Sequence, residues 1–459
     1  MLRVKGFLMN RAKSGESAVF YRNPRDEYPM LVRAAGCRLW DDRGVELIDL
    51  TSGISGAALI GQGNEIVAQA MVDQISRISY AHTTGATTPA QEELALRLAA
   101  LAPNGVNKVM FCSGGSEANE IALRITRQFH LARGEPKRWK VIGLHPSYHG
   151  ATVGALSMTG RWEINRDYEP YLFGARKVIA PVSYRGPYRD LSPDEVVTRA
   201  ADALDSAIES EGPETVAAFV AEPVSLSTGM SVPPPGYWSR VREICDRHGV
   251  IFIADEVLSG MGRTGKFLAL DHAGVTADIT TLAKGLGGGY VPLGAALIRD
   301  SVAEAIGAEN RRMAEVHTYS GSAQSCAVGL AILGIIESDG LVAAAASKGE
   351  LLGSLLQHHL ADLPWVGDIR GLGLFQGIEY VTDRDTARAF EASVDLPGSL
   401  TDAMWQRGFL SRTMHHSSAL VGDVTTMAPA LIIDQPDLED AVCALRESIN
   451  EVGPSWSKA

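Results

Sequence analysis

The chain has 459 residues, 46% of them apolar and 21% charged, and a formal net charge of -12. That length fits one large domain with one or two smaller ones. An acidic balance with no block of lysine and arginine speaks against a nucleic-acid partner, and no apolar run approaches the roughly 20 residues that cross a bilayer.

The first residues carry charges but no apolar stretch of signal-peptide length. The five cysteines are widely spaced and never form a C-x-x-C pair. They argue against zinc and against a disulfide framework, and a reducing cytoplasm is the expected setting.

In chain order, residues 31–50 read as short strands around an Asp41-Asp42-Arg43-Gly44 turn. From about residue 60 to 320, short apolar runs alternate with helical patterns. The expected strands are 108–111, 140–144, 177–180, 217–221, 250–254, 279–282 and 293–298. Several are rich in valine and isoleucine with no polar alternation, which suits strands covered on both faces. Helical stretches at 116–132, 193–209 and 237–248 lie between them, the last followed by Gly249 as a C-cap. This rhythm predicts an α/β fold with a mostly parallel, doubly wound sheet. A long helix is expected over 321–339. Residues 340–459 then mix helices with short strands around Gly371-Leu372-Gly373 and over 430–433. Residues 61–320 are read as the large domain. Residues 1–60 and 321–459 are read as a smaller α+β domain built from both chain ends.

Motifs that carry chemistry sit at the ends of the expected strands. Ser113-Gly114-Gly115-Ser116-Glu117-Ala118-Asn119-Glu120 runs from strand to glycine turn to helix. Free amides at a helix start make an anion site, to which Ser116 adds a hydroxyl. The plainer reading is an N-cap serine with a glutamate in the first turn. In Ser147-Tyr148-His149-Gly150, Tyr148 has the shape to stack on a planar ring, or to be a half-buried loop tyrosine. Glu222, before Pro223, ends another strand near the sheet's ligand edge.

Asp255 and Lys284 are the most informative pair, 29 residues apart. Each follows an apolar run. A lysine among glycines can form a Schiff base with an aldehyde, and a carboxylate at a neighbouring strand end can hold a pyridinium nitrogen protonated. Glu256 would point away from Asp255, whereas Val257 returns to the same face. Gly260-Met261-Gly262-Arg263-Thr264-Gly265-Lys266-Phe267 matches G-x-G-x-x-G and nearly matches a P-loop. Phe267 stands where a magnesium-binding hydroxyl belongs, so the segment reads as a glycine-rich active-site loop. Its rival is a nucleotide-binding protein that uses Gly260 to Gly265.

Together these segments, with Tyr148-His149-Gly150, Asp255-Glu256-Val257, Lys284-Gly285 and His317-Thr318-Tyr319-Ser320-Gly321, resemble the class III aminotransferases. These are the ω-amino acid and amine group of pyridoxal-phosphate enzymes of fold type I. The resemblance runs from about residue 25 to 450. It implies pyridoxal 5'-phosphate as cofactor and no metal. Lys284 would hold the cofactor and then shuttle the proton. Asp255 would pair with the ring nitrogen. Gly115 and Ser116 would bind the phosphate, and Tyr148 and Val257 would sandwich the ring. Glu222 would support the Asp255 side. Thr318 would reach the cofactor of the other subunit in a homodimer, and His82-Thr83-Thr84 would line the neighbour's entrance.

The resemblance thins where substrates are chosen. Ser227 stands where γ-aminobutyrate-type members carry a glutamate, and Thr425 stands near their carboxylate-binding arginine. Ala419 aligns with a mobile arginine of pyruvate-using members. Arg412 lies seven residues upstream of it, so either 413–419 is an insertion and Arg412 serves, or the carboxylate clamp is absent. The expectation is an aminotransferase that moves an amino group from a primary amine or ω-amino acid to a small keto acid, pyruvate foremost. Its two half-reactions predict ping-pong kinetics. An epimerase or decarboxylase on the same cofactor is the nearest alternative.

Overall fold

Seven strands form the central sheet: β1 (Val106–Cys112), β2 (Lys140–His145), β3 (Arg176–Ile179), β4 (Val216–Ala221), β5 (Ile251–Asp255), β6 (Ile279–Leu282) and β7 (Gly294–Arg299). Their spatial order is β1-β7-β6-β5-β4-β2-β3. Only β7 runs against the rest, antiparallel to both β6 and β1. The carboxyl ends of the other six strands therefore share one edge of the sheet, where open α/β sheets place their ligands. The computed structural model describes residues 11–13, 17–23, 27–309, 316–415 and 418–456. The N-terminal stretch 1–10 lies outside them.

Strand parity decides what each face does. On one face, Ala218 and Val220 of β4 and Ile251 and Ile253 of β5 pack against Ile121, Ala122 and Ile125 of helix α1 (Gly115–Ala132). On the other, Phe219 and Phe252 pack against Val196, Ala200 and Leu204 of the helix Pro193–Glu211 and Val241 and Ile244 of the helix Tyr237–His248. Each fully buried side chain of this kind contributes roughly 1.5–3 kcal/mol. The two faces are covered because the βα crossovers lay helices on both sides, which is why the strands read as unbroken apolar runs. Gly249 closes the helix Tyr237–His248 at φ 67°, and its N–H donates to the carbonyls of Cys245 and Asp246.

The two ends of the chain meet in one sheet. Phe409–Leu410 pairs in parallel with Glu46–Asp49, which continues through Arg38–Asp41 to Leu31–Ala35. A second four-stranded sheet joins Val366–Gly371, Gln376–Tyr380, Val424–Met427 and Arg412–Met414. One expectation fails here. Residues 430–433 are a turn, and the strand lies earlier, at Val424–Met427. Pro429 has no N–H to extend the ladder, and Leu431 gives its N–H to the carbonyl of Leu59. The helix Ala323–Ser338 is largely buried. Among the described residues no single helix is long and apolar enough to cross a membrane.

Candidate active site

Helix α1 begins one residue earlier than the sequence suggests. Its N-cap is Gly114, which offers no side-chain cap, so Ser116 is not the capping residue. Glu117 turns back instead and accepts from the Ser113 N–H at 2.8 Å. The first turn of an 18-residue helix thus starts uncapped beside the sheet edge, where its amides and dipole favour an anion. Ser116 Oγ accepts from the Ala151 N–H at 3.0 Å, which ties this turn to the loop after β2. A Cβ on Gly115 would fall 2.7 Å from Val257 Cγ1, so only glycine lets the helix start this close to Val257.

Asp255 ends β5 on the α1 face, in step with Ile251 and Ile253. Its Oδ2 accepts from Asn119 Nδ2 at 2.8 Å and from His149 Nδ1 at 2.8 Å. Its Oδ1 accepts the Val257 N–H at 3.1 Å. Asn119 is held from both sides: Nδ2 also donates to the His149 carbonyl at 2.7 Å, and Oδ1 accepts from Thr281 Oγ1 at 3.2 Å. The whole group is buried, and among the described residues His149 Nε2 has no hydrogen-bond partner. Glu256 has the opposite parity. It turns to the far face, where its carboxylate accepts from Ala269 N, Leu270 N and Ser259 Oγ. Burial pushes that carboxyl up to about 7.

Glu222 lies just past β4 on the α1 face. Its Oε2 accepts the Tyr148 N–H at 3.0 Å and the Ser225 hydroxyl at 2.6 Å. Burial raises its carboxyl above the ordinary range; His149 opposes this and Asp255 adds to it. Tyr148 is 40% exposed, so a face of its ring is open.

Lys284 follows β6 with φ 44°, a left-handed conformation that costs a non-glycine residue about 1 kcal/mol or more. Burial pushes its ammonium below the ordinary lysine value. Asp255 and Glu222 pull the other way, while Arg263 and Arg412 add to the depression. The amine is thus coupled electrostatically to two carboxylates and two guanidiniums.

Arg412 sits in the strand Arg412–Met414, and its Nη1 donates to the Ile54 carbonyl at 2.9 Å. Burial, with Arg161 and Arg22 nearby, depresses it. Thr425 is buried, and its hydroxyl pairs with Tyr380 and Thr413 at 2.8 Å each. Ser227 is buried in a short turn capped by Ser225. Thr318 is apart from this group, exposed at the surface, where its carbonyl accepts from Tyr80.

The Gly260 to Gly265 loop does not make a phosphate cradle. Arg263 is fully buried and its guanidinium is taken up by Gly56, Ser52, Ala428 and Pro429, and no helix follows the glycines until the short turn Ala269–Ala273. Three residues at the site were given no role from sequence: Asn119, Thr281 and Arg263. Asn119 carried one faint signal, a poor helix former inside an otherwise strong helix.

Comparison with known proteins follows this geometry. The sequence matches the class III aminotransferase family over residues 21–449. The chain belongs to that family. It is similar to a probable aminotransferase of Mycobacterium tuberculosis, 39% identical over 94% of this chain and 91% of that one. It is also similar to the diaminobutyrate–2-oxoglutarate transaminase of Halomonas elongata, at 34% identity over 91% and 89% of the two chains. The putrescine–pyruvate aminotransferase of Pseudomonas aeruginosa is 31% identical over 92% and 90%. Among solved structures, the ω-transaminase of Pseudomonas jessenii in complex with PMP superposes with a TM-score of 0.90, at 32% identity over 96% and 98%. The fold is thus that of the fold type I transaminases.

Class III aminotransferases work with pyridoxal phosphate, and the site fits that cofactor. An uncapped helix start suits a phosphate, a cradle that only Gly115 permits lies against Val257, and a half-buried lysine is coupled electrostatically to a buried aspartate.

Proposed function

We propose that this aminotransferase takes the amino group from a primary amine or ω-amino acid and passes it to a small keto acid, pyruvate foremost, in two separate half-reactions. The observation that carries the reading is Lys284: a partly buried amine in a left-handed turn past the end of β6, coupled electrostatically to the carboxylates of Asp255 and Glu222. The cofactor, when bound, supplies an electron sink that stabilises negative charge at the substrate carbon.

The remaining work belongs to this chain's side chains. Lys284 holds the cofactor and, once released, carries the proton to and from the substrate carbon. Its depressed basicity suits both tasks, since a neutral amine is the nucleophile and the base. Asp255 keeps the ring nitrogen protonated. Among the described residues Oδ2 has two donors and Oδ1 only the Val257 amide, so Oδ1 is the oxygen that would be free to pair with the ring nitrogen. Gly115 and Ser116 bind the phosphate, and Tyr148 and Val257 cover the two ring faces. Glu222 supports the edge near Tyr148. Arg412 receives the carboxylate of the acceptor.

We further propose a homodimer. Thr318 and the Tyr80–His82 segment, joined by the Tyr80 hydroxyl, lie at the surface, and exposed Tyr80 and Tyr319, edge to face with ring centroids 6.3 Å apart, present apolar area that a second subunit would cover. Thr318 then serves the neighbouring subunit's cofactor.

The test is Lys284→Ala in cofactor-saturated protein. It should lose the visible absorption band and turnover together, and borohydride treatment of the parent should leave a pyridoxyl group on Lys284. Retained turnover in the variant rejects the mechanism. A panel of amines against pyruvate and 2-oxoglutarate, read as formation of alanine or glutamate, decides the acceptor.

A further inference from the structure

Among the described residues Arg263 is the largest fully buried side chain. A guanidinium out of water without a paired carboxylate is costly, and burial pushes this one down to about 10, with Asp49 opposing at a distance. Among the described residues its acceptors are all neutral oxygens. Nη1 donates to the carbonyls of Ala428 at 3.0 Å and Pro429 at 3.1 Å. Nη2 donates to the Gly56 carbonyl at 3.0 Å and to Ser52 Oγ at 3.4 Å. One side chain from the middle of the sequence therefore fastens a segment near its start to a segment near its end.

The fastened segment is strained. Ser52, Gly53, Ile54 and Gly56 have φ of 48°, 76°, 65° and 77°. For Ser52 and the β-branched Ile54 such values are outliers that persist only where the surroundings impose them. Asp49 imposes part of the shape by accepting from the Thr51 N–H, the Thr51 hydroxyl and the Gly53 N–H. Thr51 Oγ1 accepts in turn from Ile54 N at 2.8 Å. Arg263 supplies the rest from the other side. The Ile54 carbonyl then points to Arg412 Nη1. Just beyond, Leu59 fills the space beside Gly285, where a Cβ would meet its Cδ2 at 2.8 Å, so the segment abuts the Lys284 turn.

We propose that Arg263 is a positioning residue: it locks the Ser52–Gly56 segment against the Lys284 turn, and thereby sets both the charge that Lys284 feels and the place where Arg412 is docked. The role rests on Lys284 being the cofactor-bearing amine. Lys284 is coupled electrostatically to Asp255 and Glu222, which favour its charged form, and to Arg263 and Arg412, which disfavour it. Two cations balance two carboxylates. Removing Arg263 removes a fixed cation and frees the dock of the other.

The test compares Arg263→Gln and Arg263→Lys with the parent as cofactor-loaded protein, reading the pH midpoint at which the visible band titrates and the KM for pyruvate. A neighbouring cation disfavours protonation at Lys284, so the Gln variant should shift the midpoint upward by about one unit. The Lys variant keeps the charge but cannot span four acceptors. It should hold the midpoint near the parent's and raise KM about tenfold, roughly the effect of losing one charge-assisted hydrogen bond. If the Gln variant fails to fold, the Lys variant decides by its KM. An unmoved midpoint in folded Gln variant, or an unchanged KM in the Lys variant, overturns the proposal. A parent with no visible band at all would instead sink the reading of Lys284.

Discussion

His149 and Asn119 donate to the same oxygen of Asp255, each at 2.8 Å, from chain positions 106 and 136 residues away. A buried carboxylate with two donors on one oxygen is held in a single rotamer with its other oxygen aimed. The pair therefore does more than neutralise a charge.

Removing either donor leaves Asp255 buried and underpaired. A hydrogen bond to a charged group is worth about 1.5–3 kcal/mol. Asn119→Ala and His149→Ala should each raise the dissociation constant for pyridoxal phosphate by about tenfold or more, measured by cofactor fluorescence on the apoprotein. The double variant should lose less than the product of the two, because both act through one oxygen. Unchanged affinity in both single variants would show that Asp255 is oriented by something else.

Gly115 tests the cofactor cradle. Gly115→Ala puts a methyl 2.7 Å from Val257 Cγ1, and overpacking of this kind costs about 1–3 kcal/mol. The thermal unfolding midpoint should fall, and adding Val257→Ala should restore much of it by opening the space. Failure of the second substitution to rescue would place the strain elsewhere.

The role proposed for Arg412 predicts that it separates the two substrates. Arg412→Ala should raise KM for pyruvate about tenfold or more while leaving KM for a simple monoamine donor within about twofold, since only the acceptor carries a carboxylate. Equal changes for both would make Arg412 a structural anchor of Ile54 rather than a binding residue.

Glu256 gives the stability a pH dependence of known sign. Its folded pKa, raised from 4.5 to about 7, means that the native state holds a proton which the unfolded chain releases earlier. Its stabilising contribution is present below about 4.5 and is lost as pH rises through 7, an effect on the order of 3 kcal/mol. Glu256→Gln cannot titrate. Between pH 5 and 8 the unfolding temperature of the parent should therefore fall relative to that of the variant. Parallel curves would mean that the two amide donors and the Ser259 hydroxyl keep Glu256 ionised throughout.

What the sequence determined by itself was everything with a local signature. Covered strands announce themselves as valine- and isoleucine-rich runs, so the seven strands of the sheet fall within a residue or two of expectation, and with them the places of Asp255, Glu222 and Lys284 at strand ends. Alternation likewise told Asp255 from Glu256. The tertiary structure alone decided the partners. His149 meets Asp255 because β2 and β5 both flank β4, and Asn119 meets it because α1 lies across the sheet. Arg263 sat in a glycine run that mimicked a nucleotide loop. Its acceptors lie 207 residues before it and 165 residues after it, at Gly56 and Ala428. The reason is physical: periodicity records which face of an element is covered, whereas a polar group's partner is set by chain packing, and nothing in the neighbouring residues encodes it.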